Sequence, residues 1–552
     1  MRHNPWSAKF TLLFAAVALA AALVACGGGG GGGGVTFRDA APADLANRAF
    51  AFGPGLFSDD PQDPRSADSS TLVIGSFHGD RAAFALVNDA DGSVVAGSLA
   101  VGNSCTVTVS FLELAGEELR VLAPDDPDAV SVLDPCEIGS DGSLRVADDQ
   151  LETFLSSPGR APQAVLNLSI PLAAAYEVPG NLAGLALLEG RSETGTASLA
   201  LYEGNVLSYS LAVEGLTQGD ALTVSHIHRG DVHENGPVVI TLVGGPAQAS
   251  GVRPLDTIPQ FDGGTSVTAS AALTGAEVAD LTAAGNHFYV NVHSNQVGAG
   301  VVRGQIGQEI VLASNVFLST ANEVPPVPGR TETGLAVMRG VDGAAPAMKF
   351  FLEVFDLDPT DALQVAHIHS GGPTENGPVV ISLVGGPAQP PLRPLDVLPV
   401  FGGETSVRGE VPVSAQELAD LVDPTRAWYV NIHSTQVGSG LVRGQLREVT
   451  FANAIQPILT PNCAVAGCHG TPLGAPMSLL AGVAYGNLVN APSLSLSSEL
   501  ALRVAPGSTA QSELYRRVTS ADPLIRMPVV APLSQAQIDL IGRWISGGAL
   551  ED

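Results

Sequence analysis

Positive charge is scarce in this chain. Of its 552 residues only 26 are lysine or arginine, against 55 aspartates and glutamates, and the formal net charge is −29. A field of that sign repels phosphate backbones and anionic lipid headgroups, so nucleic acid is excluded as an expected partner. Beyond the N-terminus the sequence also lacks an uninterrupted apolar run long enough to span a bilayer, and we expect no transmembrane helix there.

Catalytic patterns are missing as well. The sequence contains no recognisable Ser-His-Asp or Cys-His arrangement and no Gly-rich phosphate loop, so hydrolase and kinase interpretations lack support. An electron carrier or a binding protein is therefore favoured over an enzyme.

Residues 1–26 have the pattern of an export signal. Arg2 and Lys9 precede a short apolar stretch, which ends in the small residues before Cys26. This segment resembles a bacterial lipoprotein signal, in which the cysteine is lipidated and becomes the new N-terminus. The resemblance implies a lipid anchor in the cell envelope, at the outer membrane. An ordinary signal peptide or an uncleaved anchor is the alternative, and the glycine run at 27–34 predicts a flexible tether.

The region 35–165 predicts a small β-domain. Short runs of alternating apolar and polar residues are separated by turn residues such as Asp89 and Gly92. The predicted strands are Thr71 to Phe77, Ala82 to Val87, Ser93 to Val101 and Cys105 to Leu112.

The central part of the chain contains an internal repeat of about 140 residues, the size of a tandem domain. The segment His226-Ile-His228 returns as His367-Ile-His369, 141 positions later. Six further pairs of segments are shared, and they begin at Glu177 and Glu323, at Glu234 and Glu375, at Leu242 and Leu383, at Arg253 and Arg393, at Tyr289 and Tyr429, and at Val302 and Val442.

These shared segments resemble the CHRD domains first noted in chordin. Each copy has Glu-Val-Pro near its start, His-Ile-His and Glu-Asn-Gly-Pro at its centre, and Asn-x-His followed by Arg-Gly-Gln at its end. The resemblance implies two mostly antiparallel β-domains outside the cytoplasm, at 166–308 and 309–448. The first copy carries an insertion between Pro179 and Arg191.

Three histidines in each copy are candidate ligands for Cu or Zn. On a strand the two histidines of His-x-His point to the same side and can meet one ion. If the alternation along the strand is unbroken, however, His226 lies on the same face as Leu222, and the three rings would not converge. The alternative is that the histidines form hydrogen bonds to turns and neighbouring strands. Glu234 and Glu375 are candidate carboxylate ligands. The histidines are His226, His228 and His293 in the first copy and His367, His369 and His433 in the second.

After Glu448 the apolar pattern becomes helical, and region 449–552 carries Cys463, Cys468 and His469. Two thiols followed by an imidazole are the pattern of covalent haem attachment. With the Met527-Pro segment and a final helix at 534–545, the layout resembles small exported cytochrome c domains. The resemblance implies thioether bonds from both cysteines and iron coordination by His469 and Met527. Four residues separate the cysteines where the usual motif has two; a disulfide or a zinc site is the alternative.

The remaining two cysteines, Cys105 and Cys136, are expected to form a disulfide in an oxidising compartment. The sequence therefore predicts a multidomain chain, mainly antiparallel β, followed by a small all-α haem domain. The predicted function is an exported, membrane-anchored c-type cytochrome that transfers electrons to redox partner proteins, with the CHRD domains as scaffold. The alternative is a surface binding protein whose CHRD domains carry the function and whose haem is auxiliary.

Overall fold

The computed structural model describes residues 35–54, 64–102, 104–117, 119–122, 129–147, 153–244, 258–385, 398–423, 426–446, 451–471, 475–494, 500–546, 548–549 and 551. The predicted export signal, Cys26 and the glycine run lie outside these residues. The chain divides into two compact units. The first comprises Met1–Glu177, Arg191–Asp231 and Asn235–Gly307, and the second comprises Val178–Gly190, Val232–Glu234 and Gln308–Asp552.

The first unit begins with two antiparallel sheets and one short helix, α1 (Pro42–Leu45). The four-stranded sheet has the order β1-β9-β10-β11, and the larger sheet has the path β2-β3-β4-β5-β6-β7 with β8 paired to β6. The strands are β1 Phe37–Asp39, β2 Arg48–Phe52, β3 Ser70–Ile74, β4 Arg81–Asn88, β5 Val94–Val101, β6 Cys105–Glu113, β7 Arg120–Val121, β8 Val130–Leu133, β9 Cys136–Gly139, β10 Ser143–Ala147 and β11 Thr153–Pro158.

A disulfide joins Cys105, at the start of β6, to Cys136, at the start of β9. The two Cα atoms are 5.6 Å apart. Both side chains are buried in an apolar cluster that includes Phe50 and Phe84. The bond therefore ties the larger sheet to the smaller one within a single core.

Replacing both residues, as Cys105→Ala/Cys136→Ala, is expected to lower the free energy of unfolding of this domain by roughly 3–4 kcal/mol. The cysteines are 31 residues apart, and releasing a loop of that length restores chain entropy to the unfolded state. Urea unfolding followed by circular dichroism measures the change. Wild-type protein in reductant should behave like the variant; identical midpoints with and without reductant would contradict the prediction.

Each repeat folds into one eight-stranded antiparallel sheet, and the strand order is the same in both. The orders are β16-β15-β18-β19-β12-β13-β14-β17 and β24-β23-β26-β27-β20-β21-β22-β25. The mainly antiparallel β architecture predicted from the sequence is confirmed. The strands are β12 Ala164–Ala173, β13 Thr194–Tyr202, β14 Val206–Glu214, β15 Leu222–Arg229, β16 Val238–Val243, β17 Ser266–Ala272, β18 Phe288–Ser294, β19 Val302–Ile306, β20 Glu309–Ser319, β21 Thr333–Asp342, β22 Ala347–Phe355, β23 Leu363–Ser370, β24 Val379–Val384, β25 Ser406–Pro412, β26 Trp428–Ser434 and β27 Val442–Gln445.

In the part of the repeats that the structure describes there are also three short α-helices that the strand pattern did not predict. α2 (Leu182–Leu188) is formed by the insertion in the first repeat. α3 (Gly275–Thr282) and α4 (Ala415–Val422) occupy equivalent places after the strands β17 and β25. Each begins with a capping box, Thr274 with Glu277 and Ser414 with Glu417. These pairs are a sequence signal that could have revealed both helices.

The regular elements described in the C-terminal region are helices. They pack around a separate apolar core that includes Leu459, Trp544 and Ile545. Ser534 and Gln537 cap the last helix reciprocally, as the sequence predicts. Among the described residues, no helix combines the length and apolar character that crossing a bilayer requires. The elements are a π-helical turn at Phe451–Ile455 and the helices α5 Gln456–Asn462, α6 Ala484–Leu488, α7 Glu513–Thr519 and α8 Gln535–Ser546.

Candidate metal centre

The His-x-His strand of each repeat lies between two other strands. In the first repeat β15 pairs with β16 and β18. Leu222 lies opposite Ser294 but Ser225 lies opposite Val292, so β15 holds one extra residue in between. This bulge shifts the alternation, and the expectation that His226 shares the face of Leu222 is wrong for that reason. The same shift occurs in β23.

The three histidines of each repeat come together on one side of the sheet. Each offers a nitrogen that lies within 4.8 Å of those of the other two. The Nδ1 atom of His226 is 3.3 Å from Nε2 of His293, and the equivalent distance from His367 to His433 is also 3.3 Å. Two nitrogens bound about 2.0 Å from one ion at a tetrahedral angle are separated by about this distance. The groups are His226, His228 and His293, and His367, His369 and His433.

Backbone carbonyls fix the tautomers of two histidines in each group. In the second repeat Nδ1 of His369 donates to the carbonyl of Gly377, at 3.0 Å, and Nδ1 of His433 donates to that of Gly438, also at 3.0 Å. The first repeat has the same two bonds. A carbonyl only accepts, so the opposite Nε2 atoms carry lone pairs. Nε2 of His369 is buried and has no hydrogen-bond partner in the structure, so its lone pair can bind an ion.

Burial lowers the pKa of every histidine in the two groups. The pKa falls to about 4 for His226 and His228 and to about 3 for His367. Loss of solvation of the charged ring is the largest cause, and the neighbouring imidazoles add repulsion for His226 and His367. The pKa values of His293, His369 and His433 are lowered by burial as well. All six rings are therefore neutral at pH 7, as metal ligands must be.

A stack of three side chains supports each group. In the second repeat the ring of Tyr429 lies 4.8 Å from that of His369, nearly parallel. The guanidinium of Arg443 lies 3.4 Å from the centre of the Tyr429 ring. The Tyr429 hydroxyl accepts from the N–H of Gly377. The first repeat has the same stack, with Tyr289 in place of Tyr429. The two repeats therefore fix the orientation of this histidine ring in the same way.

A buried ionic network holds the turn that follows the third histidine. The Asp361 carboxylate accepts from the hydroxyl of Ser434, at 2.7 Å, and from the backbone N–H of Gln436, at 3.0 Å. Arg330 donates to the same carboxylate at 2.7 Å. These contacts lower the pKa of Asp361 although burial opposes the shift. Sequence reasoning missed the network, although Asp361 recurs in the first repeat as Asp220, which accepts from Ser294 and Arg191.

The two predicted carboxylate ligands do not join the groups. Neither Glu234 nor Glu375 is among the grouped ligand residues. The Glu375 side chain instead accepts from the N–H of Gly372, at 3.0 Å, and holds its own turn. A different carboxyl is buried nearby in the fold: Glu323 accepts from the Asn431 amide at 3.2 Å. Burial raises the pKa of Glu323 to about 7.

The predicted haem motif forms a tight loop after α5. Cys463 is half-buried, Cys468 is exposed, and both are free thiols, so the alternative of a disulfide between them is not what the structure contains. Gly467 has a φ of 79° and provides the turn between them. Nδ1 of His469 donates to the carbonyl of Met477, at 3.0 Å, which leaves Nε2 as the lone-pair nitrogen.

Met527 lies on a separate segment between α7 and α8. Its backbone N–H donates to the carbonyl of Arg517, at 3.0 Å, and its side chain is half-buried. Apolar side chains around it are exposed to an unusual degree: Leu524 to 92% and Val530 to 96%.

Both repeats match the CHRD domain family, over residues 168–306 and 315–446. The CHRD domains predicted from the shared segments are thus confirmed. The matched ranges together make up just under half of the chain, and they include all six grouped histidines. No curated protein and no solved structure matches the chain.

Proposed function

The chain contains two CHRD domains, and we propose that each of them binds one transition-metal ion, Cu or Zn. One observation carries the proposal: three neutral imidazoles converge in both copies, with ligand nitrogens within 4.8 Å of one another. The same residues also form the same supporting hydrogen bonds in both copies. Imidazole nitrogens suit Cu and Zn among the common biological metals. The net charge of −29 further raises the local concentration of cations.

Elemental analysis of the whole chain tests this function. The protein should carry Cys26→Ser, Cys463→Ser and Cys468→Ser, so that no free thiol competes for metal; we call this variant the thiol-free protein. After incubation with Cu or Zn and dialysis, two ions per chain are expected, one for each group. A content near zero for both metals would refute the proposal.

Covalent haem in the C-terminal region is the second candidate function. Cys463 and Cys468 are free thiols in one loop, and His469 keeps Nε2 available because a backbone carbonyl holds its Nδ1 proton. The two cysteines and His469 would hold a c-type haem, and the resemblance to small cytochrome c domains proposes Met527 as the second iron ligand. When bound, such a group supplies one-electron transfer. The carbonyl of Met477 would orient the His469 ring, which is the usual task of the group behind a metal-bound histidine.

Cys463→Ser/Cys468→Ser is expected to abolish covalent haem. Each thiol supplies one thioether bond, so neither bond can form in the variant. Co-expression with a haem-maturation system, followed by visible spectroscopy of the denatured and reduced protein, measures the attached haem. Met527→Ala serves as the comparison: it should retain haem but lower its reduction potential. Wild-type protein without a sharp reduced α-band would rule out the cytochrome function.

Export and lipid anchoring at Cys26 complete the proposal. They are supported by the signal-like sequence of residues 1–26 and by the disulfide in the first unit, since disulfides are typical of oxidising compartments. On this basis the protein is anchored to the cell envelope, at the outer membrane. Its metal and haem groups would exchange electrons or ions with other envelope proteins.

A further inference from the structure

The charge around each histidine group restricts which ion it can hold. The grouped ligands in the described part of the chain are imidazoles only, with no carboxylate or thiolate among them. A bound ion therefore keeps its full charge in a partly buried site. The cost of burying an ion rises with the square of its charge, so a monovalent ion is favoured over a divalent one.

A fixed positive charge adds to this preference. The Arg443 guanidinium is 1% exposed and is stacked on Tyr429, which in turn is stacked on His369. Its terminal nitrogens donate to neutral acceptors, namely the carbonyls of Gly372 and Glu375 and the side-chain oxygen of Asn376. Arginine stays protonated even when buried. Its charge therefore repels a dication in the neighbouring site more strongly than a monocation.

The number of ligands points in the same direction. Zn²⁺ in proteins is almost always four-coordinate, and Cu²⁺ prefers a tetragonal arrangement. Each group offers three nitrogens, and the histidines of the second repeat are buried, with exposures of 0%, 9% and 9% for His367, His369 and His433. Three neutral donors in a shielded site are sufficient for Cu⁺, whereas Zn²⁺ or Cu²⁺ would have to bring a further ligand such as water into the site.

The groups behind the ligands are also neutral. His369 and His433 each give their Nδ1 proton to a backbone carbonyl. A carboxylate in that place would make the imidazole more basic and favour an ion of higher charge. The buried carboxyl of Glu323 bonds to Asn431 and is not one of the grouped ligands. When ionised it offsets part of the Arg443 charge.

We propose that the three-histidine group in each CHRD domain selects Cu⁺ over Zn²⁺ and Cu²⁺. This rests on the proposed metal-binding function and adds the identity and charge of the ion. No electron transfer is implied, because Cu⁺ binds and leaves in the same oxidation state.

Competition with chelators on the thiol-free protein tests the selectivity. Cu⁺ is measured without oxygen against a chromophoric Cu⁺ chelator, and Zn²⁺ and Cu²⁺ are measured against chelators of their own. We expect two Cu⁺ per chain, bound on the order of a hundredfold more tightly than either divalent ion, which corresponds to about 2.7 kcal/mol. If Zn²⁺ or Cu²⁺ binds with an affinity equal to or higher than that of Cu⁺, and if this binding requires His228 and His369, the inference of Cu⁺ selectivity is overturned while the metal-binding function remains intact. Binding of no ion at all would overturn both.

Arg443→Gln separates the charge argument from the ligand-count argument. Removing the guanidinium should strengthen Zn²⁺ binding at one of the two sites by at least about tenfold, whereas Cu⁺ binding, with half the charge, should strengthen by only about the square root of that factor, roughly threefold. Circular dichroism establishes whether the variant folds. An unchanged Zn²⁺ affinity in folded protein would contradict a role for the Arg443 charge. If the variant does not fold, the competition on the thiol-free protein still decides the selectivity.

Discussion

Replacing His228 and His369 together with glutamine is expected to abolish stoichiometric metal binding. Each residue supplies a neutral Nε2 whose ring is held in place by a backbone carbonyl and a stacked tyrosine. The glutamine amide keeps the polarity and approximate volume of the side chain but is a poor ligand for Cu or Zn. Two imidazoles then remain in each group, too few to hold an ion in competition with a chelator.

The single variants make this result quantitative. His228→Gln should reduce the content from two ions to one, and so should His369→Gln, because each changes one group only. Elemental analysis in the thiol-free protein gives the count. His287→Gln is the matched control, since this histidine is 40% exposed and belongs to neither group. Equal metal contents in all these variants would show that the ions bind elsewhere.

The sequence predicts which histidines form each group, but it does not predict the strand geometry that brings their rings to one face. The offset between the two His-Ile-His segments identifies the strands, and the shared Asn-x-His segment identifies the third ring. Convergence depends on the bulge between Leu222 and Ser225, and nothing in the local residue pattern marks it. A bulge is set by pairing with β18, which is distant in sequence, so periodicity alone gave the wrong face for His226.

Other parts of the site show the same limit. The roles of Asp361 and Arg330 depend on a turn more than seventy residues away, and Glu375 was a wrong choice of ligand because its carboxylate holds its own turn. Elements specified by nearby residues were accessible. The cap formed by Ser534 and Gln537 was predicted, and the equivalent cap of Ser414 and Glu417 follows from the same rule. Local chemistry is readable in the sequence, whereas long-range register is not.

Mild acid is expected to destabilise the metal-free CHRD domains strongly. The pKa of His226 and His228 is about 4 in the folded protein and that of His367 is about 3, whereas an unfolded chain has histidine pKa values of about 6.5. The unfolded state therefore binds more protons below pH 6.5. Stability is fully present above that pH and is lost as the pH falls toward the folded pKa values.

Each such histidine removes up to about 1.4 kcal/mol per pH unit in that range, and a whole domain is stable by only about 5–15 kcal/mol. Thermal unfolding of the metal-free, thiol-free protein between pH 7 and pH 4 measures the loss. Glu323 acts in the opposite direction. Because its pKa is raised to about 7 in the folded protein, it takes up a proton there as the pH falls below 7, and this uptake favours the folded state. Glu323→Gln should therefore steepen the loss of stability with falling pH. His367→Gln should make it shallower, and bound metal should do the same because the ion competes with the proton for the same nitrogens. A melting temperature that stays constant from pH 7 to pH 4.5 would mean that these rings take up protons in the folded protein as readily as in the unfolded chain, and would contradict the lowered pKa values.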